Sequence, residues 1–364
     1  MNLHIFLDEK FVDPFVERLE GLSLGNNKYI VTTEEKVLKR VSRSIDFAPV
    51  GSRAFDNKGG KSSDYNKVFF HYLSVGAYSW ILRNRFRSLN WMVWGSDLYQ
   101  LPFVKNDVTL PLTKRFLQEY RLVNLEKQNS WTYQLKYKMI TPFIYGKIDG
   151  IYTWMPPEFD FAIKNLPLYW NKPQHVFFRY PLNIQWDAIS RAVGEMKFLR
   201  LEKPKVLIGN SGAYSNNHLD ALKLIDRLDY RCTVPLSYGP RNYVDVLKTF
   251  LHGRTNVSVV TQFLSFNEYV EFINDHDAIV INTLRPQAVG NIWLSMVLGK
   301  PVFLNEENVL CNYLRSLGFD ILNIEDLPDY PRIARDFDPF HNKKLLTEKF
   351  SDSKLDETYL RLFK

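Results

Sequence analysis

Short apolar runs alternate with amphipathic stretches of helical period along almost the whole chain. Repeated in that order, they are the pattern of parallel α/β layers, because each buried strand reaches the next through a crossover helix. In the first half the pattern predicts strands at Leu3–Leu7, Tyr29–Thr32, Lys67–Tyr72, Asn90–Trp94, Gly150–Thr153 and His175–Arg179. Helical patterns fall at Phe11–Gly21, Ala77–Arg87 and Leu112–Lys127. A charged passage from Glu195 to Lys205, with Pro204 before the next strand, reads as an interdomain linker. The series then restarts, with strands at Val206–Ile208, Arg231–Pro235, Val257–Thr261, Ala278–Asn282 and Pro301–Leu304. Its helices are expected at His218–Leu228, Tyr243–Leu251, Phe266–Asn274 and Gly290–Leu298. Two such series predict an α/β chain with two Rossmann-like domains facing a cleft, over 1–195 and 203–345. A last amphipathic pattern, Ser353–Phe363, predicts a helix inside 346–364.

The richest stretch runs from Ala278 to Leu304: a buried strand, a tight loop, a helix opening on Gly290 and Asn291, a Gly-Lys-Pro stop and a second strand. A loop feeding a helix N-terminus at the carboxyl end of a parallel strand is where α/β proteins hold phosphates, since unpaired amides and the helix dipole both face the anion. Arg285 and Gln287 lie in that loop, one able to carry leaving-group charge and the other offering an amide to sugar hydroxyls.

A second loop follows Val206–Ile208 and carries Gly209, Asn210, Ser211, Gly212, Ser215, Asn216 and His218. Its glycines allow backbone amides close to an anion, and its Ser and Asn side chains add neutral donors, which suits a diphosphate. The competing reading is a turn with an N-cap at Ser215 or Asn216. Arg241, after the turn that ends the next strand, is either a diphosphate partner or a surface arginine in the first helical turn. Phe263 flanks the nucleotide base in one reading and belongs to the core in the other.

In the first half, Asn90–Trp94 ends in Gly-Ser-Asp, making Asp97 a candidate base for an acceptor hydroxyl; the alternative is that Ser96 or Asp97 caps a turn. His71 at a neighbouring strand end is a second candidate, and a lone histidine beside an apolar strand is more often structural.

Composition narrows the setting. With 364 residues, 45% hydrophobic and 24% charged, the chain is that of a globular protein with room for two cores. No run of ~18 apolar residues exists, and the first residues meet Asp8 and Glu9 at once, so they read as a strand rather than a signal peptide. Cys232 and Cys311 sit in apolar settings and suggest neither a disulfide framework nor a zinc site. The net charge of +7 is uneven, +9 over residues 1–200 and −2 over 201–364. A one-sided basic surface suits anionic lipid headgroups, and no motif for specific nucleic-acid binding accompanies it. The expected location is cytoplasmic.

The runs Trp94–Tyr99, Gly209–His218 and Arg285–Gly290 together resemble family-56 glycosyltransferases, over about Phe69 to Asn308. These are TDP-N-acetylfucosamine:lipid II transferases of enterobacterial common antigen synthesis. The resemblance implies a GT-B fold, a dTDP-sugar donor and a polyprenyl-diphosphate-linked glycan acceptor at the cytoplasmic face of the inner membrane. It also implies that the C-terminal helix returns to brace the first domain. The chain also looks like a distant relative of family-4 glycosyltransferases, which usually carry two glutamates where this chain has Gln287 and Ser295. Losing the ribose-binding carboxylate fits a deoxyribose donor. No Asp-x-Asp motif occurs, so the donor site is expected to work without a metal or other cofactor. The expected catalytic pair is Asp97 and Arg285; the rival reading is a GT-B scaffold that binds nucleotide-sugar or glycan without chemistry.

Overall fold

The computed structural model describes the chain except residues 102–103, 105–106, 123–130, 169–170, 182–188 and 190–198, and the side chains of 131–134, 136 and 137. Residues 195–198 of the expected linker therefore lie outside the described residues. Two compact units form: one from Met1–Asn106, Glu126–Asn183 and Asp352–Lys364, the other from Asp107–Leu125 and Ile184–Ser351.

The first unit holds seven parallel strands: β1 (Asn2–Leu7), β2 (Asn27–Thr32), β3 (Asp46–Phe47), β4 (Val68–His71), β5 (Leu89–Met92), β6 (Gly150–Thr153) and β7 (Gln174–Phe177). Their order is β3-β2-β1-β4-β5-β6-β7. Both faces of the sheet are covered, which is why its strands read as continuous apolar runs. Leu3, Ile5, Val68, Phe70, Leu89 and Trp91 enter one core. Phe6, Phe69 and Met92 face the other, with Val12, Phe15 and Leu19 of the Val12–Gly21 helix.

The C-terminal Asp352–Phe363 helix joins that second core through Leu355, Tyr359 and Phe363, spaced four residues apart. Its start is held by Arg18, which pairs with Asp352 at 2.8 Å and Asp356 at 3.0 Å.

The second unit holds six parallel strands: β8 (Lys205–Ile208), β9 (Arg231–Pro235), β10 (Val257–Val260), β11 (Ala278–Ile281), β12 (Val302–Leu304) and β13 (Leu322–Asn323). Their order, β10-β9-β8-β11-β12-β13, is the doubly wound one in which the winding direction reverses between β8 and β11. The edge strands β3 and β13, two residues each, escape the sequence pattern because so short a run carries no periodicity.

The helix expected within Leu112–Lys127 forms, but it packs into the second unit rather than the first. Pro111–Glu119 belongs to the second unit, and its first turn is capped from there: Leu112 N, Thr113 N and Thr113 Oγ1 all donate to the Asp220 carboxylate, at 3.0, 2.9 and 2.7 Å. Phe116 and Leu117 bury into the core containing Tyr243 and Leu247. Nothing local in the sequence marks such a detour, because cap and core come from residues about a hundred positions away.

Candidate functional site

The reversal point of the second sheet brings two loops together. β8 and β11 are hydrogen-bonded neighbours although about seventy residues separate them, so the loops after them, 209–217 and 282–288, emerge side by side at the carboxyl edge.

The first loop is shaped from within. Gly209 turns the chain at φ +74°, and a Cβ there would lie 3.0 Å from His218 Nε2. Its amide donates to Val280 O at 2.8 Å, which ties it to β11. The side chain of Asn216 is wholly buried and fills the loop's centre. Asn216 Nδ2 reaches Ser211 O at 3.1 Å, Ser211 Oγ at 3.2 Å and Ala213 O at 3.1 Å, while Asn216 Oδ1 accepts from Asn210 N at 3.2 Å. Burying loop backbone is tolerable only when its polar groups find such partners. Gly212 donates to Tyr238 O at 2.7 Å and packs against Val244 and Gly239, so no larger residue fits.

Asn217 does more than the motif suggested. It takes a left-handed conformation, and its Nδ2 reaches Asn282 O at 2.8 Å while its Oδ1 accepts from Leu110 N at 2.8 Å. One amide thus fastens both site loops and the 107–125 segment.

The second loop is fixed by Asn308, wholly buried after β12. Asn308 Nδ2 reaches Thr283 O at 2.9 Å and Arg285 O at 2.8 Å. Asn308 was not singled out from sequence; its one local signal is the helix start it caps, with Oδ1 accepting from Leu310 N at 3.0 Å. Arg285 is half-buried, with Nη1 donating to Pro286 O at 3.2 Å. The Val289–Val297 helix then opens after Ala288 at φ 59°, with no side chain capping it. Gly290 is exposed in its first turn, with open space around it, and Asn291 lies beside Tyr269. Uncapped first-turn amides and an adjacent guanidinium make an anion-binding arrangement.

Gln287 joins the two loops. Ser215 Oγ donates to Gln287 Oε1 at 2.7 Å, and Gln287 Nε2 donates to Asn210 Oδ1 at 3.2 Å. Asn210 Nδ2 passes the link on to Tyr238 OH at 2.9 Å. One amide hydrogen of Gln287 and one lone pair remain for a ligand.

Three expected residues stand apart from this cluster. His218 is wholly buried under the Gly209 turn, with Nδ1 3.0 Å from Tyr243 OH. Burial lowers its pKa to about 4, so it supports the loop as a neutral imidazole and supplies no positive charge to a phosphate. Arg241 opens the Arg241–Leu251 helix in an exposed position. Phe263, weighed towards the core in sequence, is 81% exposed after β10, because the loop carries it past the sheet's edge strand.

In the first unit, Asp97 is buried at the end of β5, and both its carboxylate oxygens are engaged. Oδ2 accepts from Trp91 Nε1 at 2.6 Å and Leu73 N at 3.1 Å, and Oδ1 from Trp94 N at 2.9 Å. Burial raises its pKa to about 6 against the pull of these donors. The carboxylate therefore braces the loops after β4 and β5.

His71 is likewise enclosed. Trp94 Nε1 donates to Tyr180 OH at 2.7 Å, and the tyrosine hydroxyl donates to His71 Nδ1 at 2.5 Å. His71 Nε2 then donates to His4 Nδ1 at 2.9 Å, and His4 Nε2 to Asn27 Oδ1 at 3.2 Å. The direction of every bond follows from Asn27 Oδ1, which can only accept and whose amide is oriented by Nδ2 donating to Leu24 O at 2.6 Å, with both imidazoles neutral. Burial lowers both histidines, His4 to about 3.

Among the described residues, no group of three or more His, Cys, Asp or Glu is arranged to hold a metal ion, and no helix is long and apolar enough to cross a membrane.

Comparison with known proteins places this geometry. The family model described as 4-alpha-L-fucosyltransferase, glycosyl transferase group 56, matches residues 124–335. A solved sucrose-phosphate synthase from Thermosynechococcus elongatus is similar over 100% of this chain and 98% of its own, with a TM-score of 0.65 at 12% identity. WaaG, a glycosyltransferase involved in lipopolysaccharide biosynthesis, is similar over 99% of both chains, with a TM-score of 0.55 at 13% identity. HepE from Anabaena, solved in complex with UDP and glucose, matches over 99% of this chain and 98% of its own, with a TM-score of 0.58 at 10% identity. The fold is GT-B.

Proposed function

The chain belongs to the group 56 glycosyl transferases, and from that premise we propose that it moves a deoxyamino sugar of the N-acetylfucosamine type from a dTDP-linked donor to a polyprenyl-diphosphate-linked glycan, in bacterial surface polysaccharide synthesis. The observation that carries the donor side is the junction of the two loops at the β8–β11 reversal. There the uncapped start of Val289–Val297 and the half-buried Arg285 converge beside the neutral donors of the Gly209 loop.

A departing nucleoside diphosphate gains negative charge as the sugar bond breaks. Helix amides and a guanidinium held ready in a loop stabilise that charge without reorganising, which is the main service such a site performs. Neutral donors and Arg285 do this without a metal ion. HepE, which shares the fold and was solved with UDP and glucose, supports a nucleotide-linked donor.

The dTDP preference rests on chemistry at two positions. Gln287 is taken up by Ser215 and Asn210, and Ser295 is fully buried inside its helix. Neither is a carboxylate that could accept from a ribose 2′-hydroxyl, which a deoxyribose lacks. The acceptor base stays unassigned: Asp97, enclosed by three donors, is proposed as a positioning group.

The test is transfer from dTDP-N-acetylfucosamine to a polyprenyl-diphosphate disaccharide, followed by mass spectrometry, with and without EDTA. Product in both is expected. Loss of product in EDTA overturns the metal-free donor site, and greater thermal stabilisation by UDP than by dTDP overturns the nucleotide assignment.

A further inference from the structure

The Trp131–Tyr145 helix of the first unit shows two unlike faces. Thr141, Ile144 and Tyr145 are wholly buried. Leu135, Met139 and Phe143, spaced four apart and so on one side, are 40%, 65% and 57% exposed. Large apolar side chains exposed in a row on one helix mark an interaction site far more often than a scatter of single ones does.

The neighbouring Tyr78–Arg83 helix extends this surface. Tyr78 OH and Tyr145 OH are 2.9 Å apart, and Lys147 Nζ donates to Ile81 O at 2.8 Å and Asn84 O at 3.0 Å. Leu82 is 41% exposed there, next to exposed Arg83, Arg85 and Arg87, and Lys138 is exposed on the longer helix. Residues 65–96 and 127–148 together contain eight Lys and Arg and no Asp or Glu. Among the described residues, none of Arg83, Arg85, Arg87 and Lys138 forms an ion pair.

We propose that this surface docks the enzyme on an anionic lipid bilayer, with the Trp131–Tyr145 helix lying in the headgroup plane. Exposed apolar side chains beside this excess of cations match an anionic interface, where the tails take the apolar groups and the phosphates the charges. At 15 residues the helix spans about 22 Å, too short to cross the hydrocarbon core. The inference rests on the reading of the acceptor as lipid-linked: an enzyme whose acceptor is anchored in a bilayer must work at the headgroup plane.

The test is cosedimentation of the full chain with vesicles of phosphatidylcholine alone or with about one-third phosphatidylglycerol, a fraction chosen for measurable anionic binding. Binding only to the anionic vesicles is expected, weakening with salt. The Leu135→Ser/Met139→Ser/Phe143→Ser protein should bind at least about tenfold more weakly. Arg85→Glu/Lys138→Glu should also bind more weakly, with a flatter salt dependence, and it guards against misfolding of the triple variant. Both should match the parent in transfer to a water-soluble short-chain acceptor. Undiminished vesicle binding by both variants, or a parent dimer that the triple variant dissolves without loss of vesicle binding, overturns the surface. Failure of the parent to transfer to the soluble acceptor while it still binds vesicles overturns the proposed function and leaves the docking surface standing.

Discussion

The hydroxyl of Ser215 donates to the side-chain oxygen of Gln287 at 2.7 Å across 72 positions of sequence. That bond and the one from Gln287 to Asn210 turn two separately folded loops into one wall. Removing either side chain should loosen the wall without unfolding the unit, since Gln287 is only half-buried. Ser215→Ala and Gln287→Ala should each lower kcat/KM for the donor about five- to tenfold, the worth of about 1 kcal/mol. Steady-state kinetics checks this, and a double variant no worse than either single one is expected, because the two share the interaction.

Arg285 is the cation beside the helix start, and its effect should fall on the chemical step. Arg285→Ala should reduce kcat by about 100-fold or more with little change in donor KM. Full activity in that protein would remove Arg285 from the site.

Phe263 is 81% exposed and buries no core surface, so Phe263→Ala should leave the melting temperature unchanged. If its ring stacks on the nucleotide base, donor KM should rise about five- to tenfold. An unchanged KM would place the base elsewhere.

Asp97 can be tested against the purely catalytic role that its place at a strand end suggested. Asp97→Ala strands Trp91 Nε1, Leu73 N and Trp94 N without their acceptor. The cost should be about 3 kcal/mol or more in urea unfolding of the first unit. A variant that is inactive yet fully stable would restore Asp97 as the base.

The buried histidines set an acid limit. His4 is held to about 3, and His218 and His276 to about 4, all by burial, with His71 also well below its usual value. Unfolded imidazoles protonate near 6.5, so below that pH the unfolded state binds more protons and stability falls as pH drops towards 4. Asp97, raised to about 6, takes up a proton first in the folded state and offsets part of this in its unit. Between pH 7.5 and 5.5 each unit should lose roughly 2 kcal/mol, read from urea midpoints. An unchanged midpoint would mean that these histidines are not neutral in the fold.

The α/β class and eleven of the thirteen strands among the described residues were legible in the chain, because strands buried on both faces leave unbroken apolar runs. The loop at Gly209 and the helix start at Gly290 were legible for a similar reason, since glycine signals are local. What each polar side chain does was decided by the tertiary structure alone. Strand order placed β8 beside β11, and only then could Gln287 meet Ser215 and Asn217 reach Asn282. Burial likewise made Asp97 and His218 braces, although their sequence settings suit a base and a phosphate ligand equally well. A residue's type and spacing limit the chemistry open to it; which partners desolvate or satisfy it depends on segments far away in the chain, and periodicity carries no record of them.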